Sequence, residues 1–165
     1  MVPRNVKRAF KSSKKVYFEI DLTSPQYLLT IMKCQLLPNK QNLSTVLPLT
    51  VLTKLRSYLD FVRSQMPSWV NKNQTTRLGD PKRLFEELTR NWERKRPIWM
   101  LLQLASLNKD YVKTSGIPSL DFYLFLKARE ARKKIGNVES PREHCGLNNM
   151  NTSQVSWCIF KEFIN

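Results

Sequence analysis

One short stretch of the chain has a period of two, and the rest has mostly helical periods. Val16, Phe18, Ile20 and Leu22 alternate with Tyr17, Glu19 and Asp21. Successive strand side chains point to opposite faces, so this pattern predicts a strand over residues 16–22 with one apolar face and one carboxylate-bearing face. Before it, residues 5–13 read as the end of a basic helix. After it, Ser24-Pro25 is a helix start, with Ser at the N-cap and Pro at the first helical position, leading into Tyr27, Leu28, Ile31 and Met32. Residues 38–47 read as a loop. Leu52, Leu55, Leu59 and Val62 then form the stripe of an amphipathic helix over about 48–65. Asp80-Pro81 repeats the capping signal ahead of Leu84, Phe85 and Leu88, and Pro97 opens a segment carrying Trp99, Leu101, Leu102 and Leu104. From Pro118 to about Lys134 the pattern predicts another helix. Its first half, with Leu120, Phe122, Tyr123, Leu124, Phe125 and Leu126, is apolar all round and is expected to be buried. Gly136 ends it, and Asn137-Val138-Glu139 is a short second strand or the start of one. A weak last helix is expected over 151–163.

These elements predict an α/β fold rich in helix, with a small central sheet flanked by helices. At 165 residues, 41% hydrophobic and 10% aromatic, the chain is expected to form a single domain over residues 1–165. Disordered and collagen-like classes are excluded. The longest apolar run, 98–105, is broken by Gln103 and falls short of the ~20 residues that span a bilayer. Met1-Val2-Pro3-Arg4 carries no signal-peptide apolar core. With four glycines and no G-x-x-x-x-G-K-[ST] or G-x-G-x-x-G string, nucleotide-dependent chemistry is not expected.

The net charge of +15, from 28 Lys and Arg against 13 Asp and Glu, first suggests phosphate. The basic residues fall in three groups: Arg8, Lys11, Lys14 and Lys15; Arg90, Arg94, Lys95 and Arg96; and Lys127, Arg129, Arg132, Lys133 and Lys134. None is interleaved with aromatics as a stacking platform requires. They read as solvated helix faces, and no nucleic-acid partner is expected. Glu19 and Asp21 share the polar face of the predicted strand, where paired carboxylates can hold a hard metal ion or transfer protons; the alternative is an ordinary half-exposed strand. His144 is the only histidine, so no H-E-x-x-H zinc site is present, and it reads as a surface-loop residue. Cys34, Cys145 and Cys158 have no C-x-x-C spacing. In a secreted protein one pair bridges and one thiol is left over; in a cytosolic one all three are small apolar residues. Asn42, Asn73 and Asn151 each begin an N-x-[ST] sequon and are candidate glycan acceptors.

Several strings are familiar. Val16-Tyr17-Phe18-Glu19-Ile20-Asp21-Leu22-Thr23, Cys34-Gln35-Leu36-Leu37-Pro38 and Asn91-Trp92-Glu93-Arg94-Lys95-Arg96-Pro97-Ile98-Trp99 resemble the TIKI metalloproteases, a branch of the broader TraB, PrgY and GumN-type family. The likeness continues in order through Gly116-Ile117-Pro118-Ser119-Leu120-Asp121, Gly136-Asn137-Val138-Glu139, Cys145 and Asn151-Thr152-Ser153-Gln154-Val155. Nearly the whole chain is covered.

The resemblance implies a divalent-metal-dependent protease, typically using manganese (Mn2+) or cobalt (Co2+), anchored at the cell membrane on its extracellular face. Such proteases trim the amino terminus of Wnt proteins and thereby restrain Wnt signalling. The family's site is assembled from histidines of two G-x-x-H motifs and from glutamates, and two of those glutamates map onto Glu19 and Glu139, as metal ligands or proton-transfer groups. Neither G-x-x-H motif occurs here, one being expected upstream and one downstream, together with the signal peptide and anchor. The resemblance places glutamine where His144 stands, so His144 is not one of the motif histidines. The chain is therefore expected to be a partial TIKI-type domain, or alternatively a catalytically inactive, truncated paralogue that binds Wnt or another protein partner.

Overall fold

The computed structural model describes residues 3–70, 80–114 and 119–163. In chain order its elements begin with α1 (Arg4–Ser12), β1 (Lys15–Phe18), α2 (Pro25–Cys34), α3 (Leu49–Trp69) and α4 (Pro81–Leu88). They continue with α5 (Pro97–Ser106), α6 (Lys109–Thr114), α7 (Leu120–Glu130), β2 (Lys134–Asn137), α8 (Pro141–His144) and α9 (Thr152–Phe163). The fold is α/β and rich in helix, as the periodicity predicts. None of the described helices is long and apolar enough to cross a membrane. Contacts divide the chain into two compact units, Met1–Lys33 with Ile117–Gly146 and Cys34–Gly116 with Leu147–Asn165.

In the first unit, β1 and β2 pair in parallel, with Lys15 opposite Lys134, Val16 opposite Ile135, Tyr17 opposite Gly136 and Phe18 opposite Asn137. The alternation read from the sequence holds along β1: Val16 and Phe18 are covered while Lys15 and Tyr17 are exposed. The strand is shorter than predicted. It stops at Phe18, and beyond it the Asp21 carboxylate accepts the Thr23 backbone N–H at 2.8 Å and the Thr23 hydroxyl at 2.5 Å, which turns the chain toward α2. A Cβ at Gly136 would lie 2.7 Å from Cε1 of the exposed Tyr17 ring across the ladder, so any larger residue there would displace that ring. An aromatic ring laid over a strand glycine makes good the side-chain packing that glycine lacks.

Helix α7 departs from expectation at its end and on its surface. The Ser119 hydroxyl caps its start by accepting the Phe122 N–H at 3.2 Å; Pro118, expected to open it, lies outside the described residues. It ends at Glu130 rather than near Lys134. Arg132 adopts a left-handed backbone, φ 50°, and the Lys133 N–H returns to the Ala128 carbonyl at 2.9 Å. That is the Schellman reversal, here built without glycine, and it frees Lys134–Asn137 to become β2, which starts earlier than predicted. The expectation of a buried helix is also corrected: only Phe125 and Ala128 are buried, while Leu120, Phe122, Tyr123 and Leu126 are 48%, 44%, 41% and 38% exposed. A two-stranded sheet covers one stripe of a helix, and that stripe meets it edge to face, with the Phe125 and Phe18 ring centroids 6.0 Å apart.

The second unit holds the larger apolar core. The α3 stripe continues past the predicted end to Met66, and Val51, Leu52, Leu55, Leu59, Val62 and Met66 are all buried. They pack with Leu84 and Phe85 of α4, with Ile98, Trp99, Met100 and Leu104 of α5, with Val112 of α6 and with Val155 and Ile159 of α9. Asp80 precedes α4 as predicted, but its side chain makes no capping bond; only its carbonyl enters the helix, accepting from the Leu84 N–H. The sequence reading missed α6, whose signal is the Asn108 side chain accepting the Tyr111 N–H at 2.9 Å.

Candidate metal centre

The parallel register decides which carboxylates meet. Beyond the last paired residues the ladder continues, with the Val138 N–H donating to the Phe18 carbonyl at 2.9 Å and the Glu139 N–H to the Glu19 carbonyl at 3.0 Å. Two glutamates at the ends of neighbouring parallel strands are thereby set side by side. The Glu139 peptide is held at its other end as well. Its carbonyl accepts the Tyr27 hydroxyl at 2.7 Å and the Asn137 side-chain amide at 2.6 Å. Tyr27 is buried, and that burial, followed by the charge of Glu139, raises its phenol above the ordinary value. It therefore stays a hydrogen-bond donor to Glu139 at neutral pH.

Immediately after Glu139 the chain forms a capping box. The Ser140 hydroxyl accepts the Glu143 N–H at 3.3 Å, and the Ser140 N–H donates to the Glu143 carboxylate at 2.7 Å. The Ser140 N–H holds the Glu143 carboxyl below its ordinary range. Pro141 sits at the first helical position, and the single turn of α8 closes with the His144 N–H bonded to the Ser140 carbonyl at 3.1 Å. This one turn brings the imidazole back over the strand end: His144 Nδ1 lies 3.5 Å from a Glu139 carboxylate oxygen, with the His144 side chain 20% exposed.

Glu19, Glu139 and His144 thus converge, each offering one donor atom, and those atoms all lie within 4.8 Å of one another. Glu19 is exposed, and the other two are half-buried. Ligand atoms each ~2.0–2.2 Å from one ion stand at most about 4.4 Å apart, so side-chain adjustment of a few tenths of an ångström suffices. Two carboxylates and an imidazole are a donor set for manganese, iron, cobalt or zinc, and the residues present fit a divalent ion. Asp21, the other carboxylate of the predicted polar face, is outside this cluster, its carboxylate engaged by Thr23, whose hydroxyl above all holds its pKa below the ordinary value. The reading of His144 as a surface-loop residue is corrected too, because the capping box turns it inward. S-x-x-E after the second glutamate was the signal that could have found it.

Several of the other residues singled out in the sequence have structural engagements. In the second unit the Leu37 N–H donates to the Arg94 carbonyl at 2.7 Å and the Arg96 N–H to the Gln35 carbonyl at 2.8 Å, forming an antiparallel bridge at Leu36 and Lys95. The Arg96 guanidinium Nε reaches the Cys34 and Leu36 carbonyls, both at 3.2 Å. Trp99 Nε1 donates to Asn148 Oδ1 at 2.8 Å, and the Asn148 amide donates to the Cys34 carbonyl at 2.9 Å. The two strings around Cys34 and Asn91 are thus bound to each other and brace the fold. Burial lowers the Lys95 pKa. In the first unit Lys133 reaches the Ser13 carbonyl at 2.5 Å and lies over the Phe10 ring, and Lys127 pairs with Glu130. Cys34 and Cys145 are disulfide-bonded, and Cys158 is a free thiol. Asn42 and Asn151 are exposed, whereas Asn73 lies outside the described residues.

Comparison with known proteins agrees with the strings that carry the resemblance. Residues 1–159 match the profile of the TraB/PrgY/gumN family. Over 159 residues the chain is 41% identical to Metalloprotease TIKI1 of Danio rerio, covering 96% of this chain and 32% of that protein. Metalloprotease TIKI1 of Homo sapiens is 40% identical over 159 residues, 96% of this chain and 32% of the relative. A Metalloprotease TIKI homolog of Nematostella vectensis is 41% identical over 162 residues, with 34% of its length covered. The chain spans about a third of the length of these relatives. No solved structure matches. By profile match and by its relatives, the chain belongs to the TraB/PrgY/gumN family, among proteins named as metalloproteases.

Proposed function

We propose that these residues form part of a divalent-metal-dependent peptidase of the TIKI type, which cleaves the amino-terminal region of Wnt proteins at the extracellular face of the cell membrane. The observation that carries this reading is the convergence of Glu19 and Glu139 at the ends of two parallel strands, with His144 beside them. A divalent ion bound there, manganese or cobalt in this reading, supplies polarisation of a peptide carbonyl and a water of lowered pKa. The chain's own part is positional. Tyr27 and Asn137 fix the Glu139 peptide, and the ladder bond from Glu139 ties it to Glu19. The exposed Glu19 carboxylate is open to solvent and to an approaching peptide, and with Glu139 it would serve as a metal ligand or a proton-transfer group. Disulfide-bonded Cys34 and Cys145 support an oxidising, extracellular setting, and the exposed sequon residues Asn42 and Asn151 are compatible with glycosylation there.

The test is a chimera in which residues 1–159 replace the matched segment of the Danio rerio relative, assayed on a Wnt amino-terminal peptide. Cleavage that requires Mn2+ or Co2+, stops with chelator and falls at least about 100-fold in Glu19→Gln or Glu139→Gln is expected. Cleavage indifferent to both substitutions would overturn the assignment, and peptide binding without cleavage would favour a non-catalytic, Wnt-binding role.

A further inference from the structure

We propose that His144 is a nitrogen ligand of the metal ion, so that this segment carries a site with three donors of its own, two carboxylates and one imidazole. The inference rests on the metal-dependent reading above and adds to it a residue to which the family resemblance assigns no role. Three features point to it. The His144 Nδ1 edge faces the Glu139 carboxylate at 3.5 Å, and its donor falls within the same 4.8 Å span as those of both glutamates. The backbone between Glu139 and His144 is specified at every step, by Tyr27 and Asn137 on the Glu139 carbonyl, by the reciprocal Ser140 and Glu143 bonds and by the helical bond from His144 to Ser140. Such support matters because a ligand set must be held close to its bound geometry before the ion arrives. Finally, among the described residues no other group of three His, Cys, Asp or Glu side chains converges in this way.

The imidazole also bears on which ions the site takes. Two carboxylates alone are a hard, all-oxygen pair, which suits magnesium or calcium when waters or carbonyls complete the shell. Adding nitrogen moves the preference toward borderline first-row ions such as cobalt. His144 as a ligand would thus add to the preference for a borderline ion over magnesium or calcium.

His144 is the only histidine of the 165 residues, which makes a direct readout available. Titration of the chain with Co2+ is followed by calorimetry and by proton NMR in the hyperfine-shifted region. The expected result is a single strongly shifted, exchangeable imidazole N–H resonance that disappears in His144→Gln. Co2+ affinity in that variant should fall at least about tenfold, since losing even an outer partner of a ligand costs ~10–100-fold, while discrimination against Mg2+ shrinks. Far-UV circular dichroism and the amide NMR spectrum check that each variant is folded, and Glu19→Gln and Glu139→Gln are titrated in parallel. If Co2+ binds, weakens in both glutamate variants and yields no shifted imidazole resonance, the role of His144 is overturned while the glutamate site stands. Co2+ that fails to bind, or binds indifferently to all the substitutions, would overturn both.

Discussion

Glu139 is held at both ends of its peptide backbone. Its N–H is spent on the Glu19 carbonyl and its C=O on Tyr27 and Asn137, so its carboxylate leaves a peptide that has little freedom to move. Of these partners Tyr27 is the informative one, because its part-buried hydroxyl bonds to a residue 112 positions away. Tyr27→Phe keeps the ring and removes only that bond. It is expected to lower stability by about 0.5–1.5 kcal/mol, the usual net value of one hydrogen bond, seen as a lower urea midpoint at unchanged slope. An unchanged midpoint would mean that water replaces the hydroxyl and that Tyr27 does not hold Glu139. Glu19 was legible as a candidate because strand alternation put it on the face opposite Phe18. Its partner was not legible from that pattern: alternation offered Asp21, two positions on, whereas the actual neighbour belongs to another strand. Period-two reading describes one strand's faces and is blind to what pairs with its end.

At the scale of elements, the junction from α7 to β2 positions the second glutamate. The helix stops because Arg132 enters the left-handed region and Lys133 bonds back to Ala128, and the four residues that follow become the strand leading to Glu139. A non-glycine residue in that conformation carries strain of roughly 1–2 kcal/mol, part of which glycine recovers. Arg132→Gly is therefore expected to raise stability by about 0.5–1 kcal/mol, measured by urea unfolding, and to leave the β2 register intact in the amide NMR spectrum. A loss of stability would show that the Arg132 side chain contributes more than its backbone costs. The helix end was misread because the sequence offers Gly136 as the obvious terminator, while the actual reversal uses an arginine. Helix starts were read more reliably, at Ser24-Pro25, Asp80-Pro81 and Pro97, because proline fixes φ at a position where the missing N–H costs nothing. The apolar run of α7 was misread as buried for a different reason. Hydrophobic composition records what a helix can bury, whereas its burial depends on how much surface packs against it.

At the scale of the whole molecule, two units divide the work. The extended apolar core and the bridged strings around Cys34 and Asn91 lie in one, and the carboxylates and imidazole lie in the other. The cysteines also divide, with Cys34 and Cys145 disulfide-bonded and Cys158 free. Iodoacetamide under denaturing, non-reducing conditions is expected to label Cys158 alone by mass spectrometry, and to label all three cysteines after reduction. Labelling of Cys34 or Cys145 without reductant would remove the support they lend to an oxidising setting. The sequence by itself determined the helix-rich class, most helix starts, the β1 alternation and the family, and named Glu19 and Glu139 as candidates, because each rests on short-range periodicity, capping chemistry or continuous strings of residues. Only the tertiary structure decided that Glu19 and Glu139 lie side by side at two strand ends, that α7 is half exposed, and that His144 turns toward Glu139. Those outcomes depend on parallel register and on backbone hydrogen bonds between residues far apart in the chain, which no local pattern encodes.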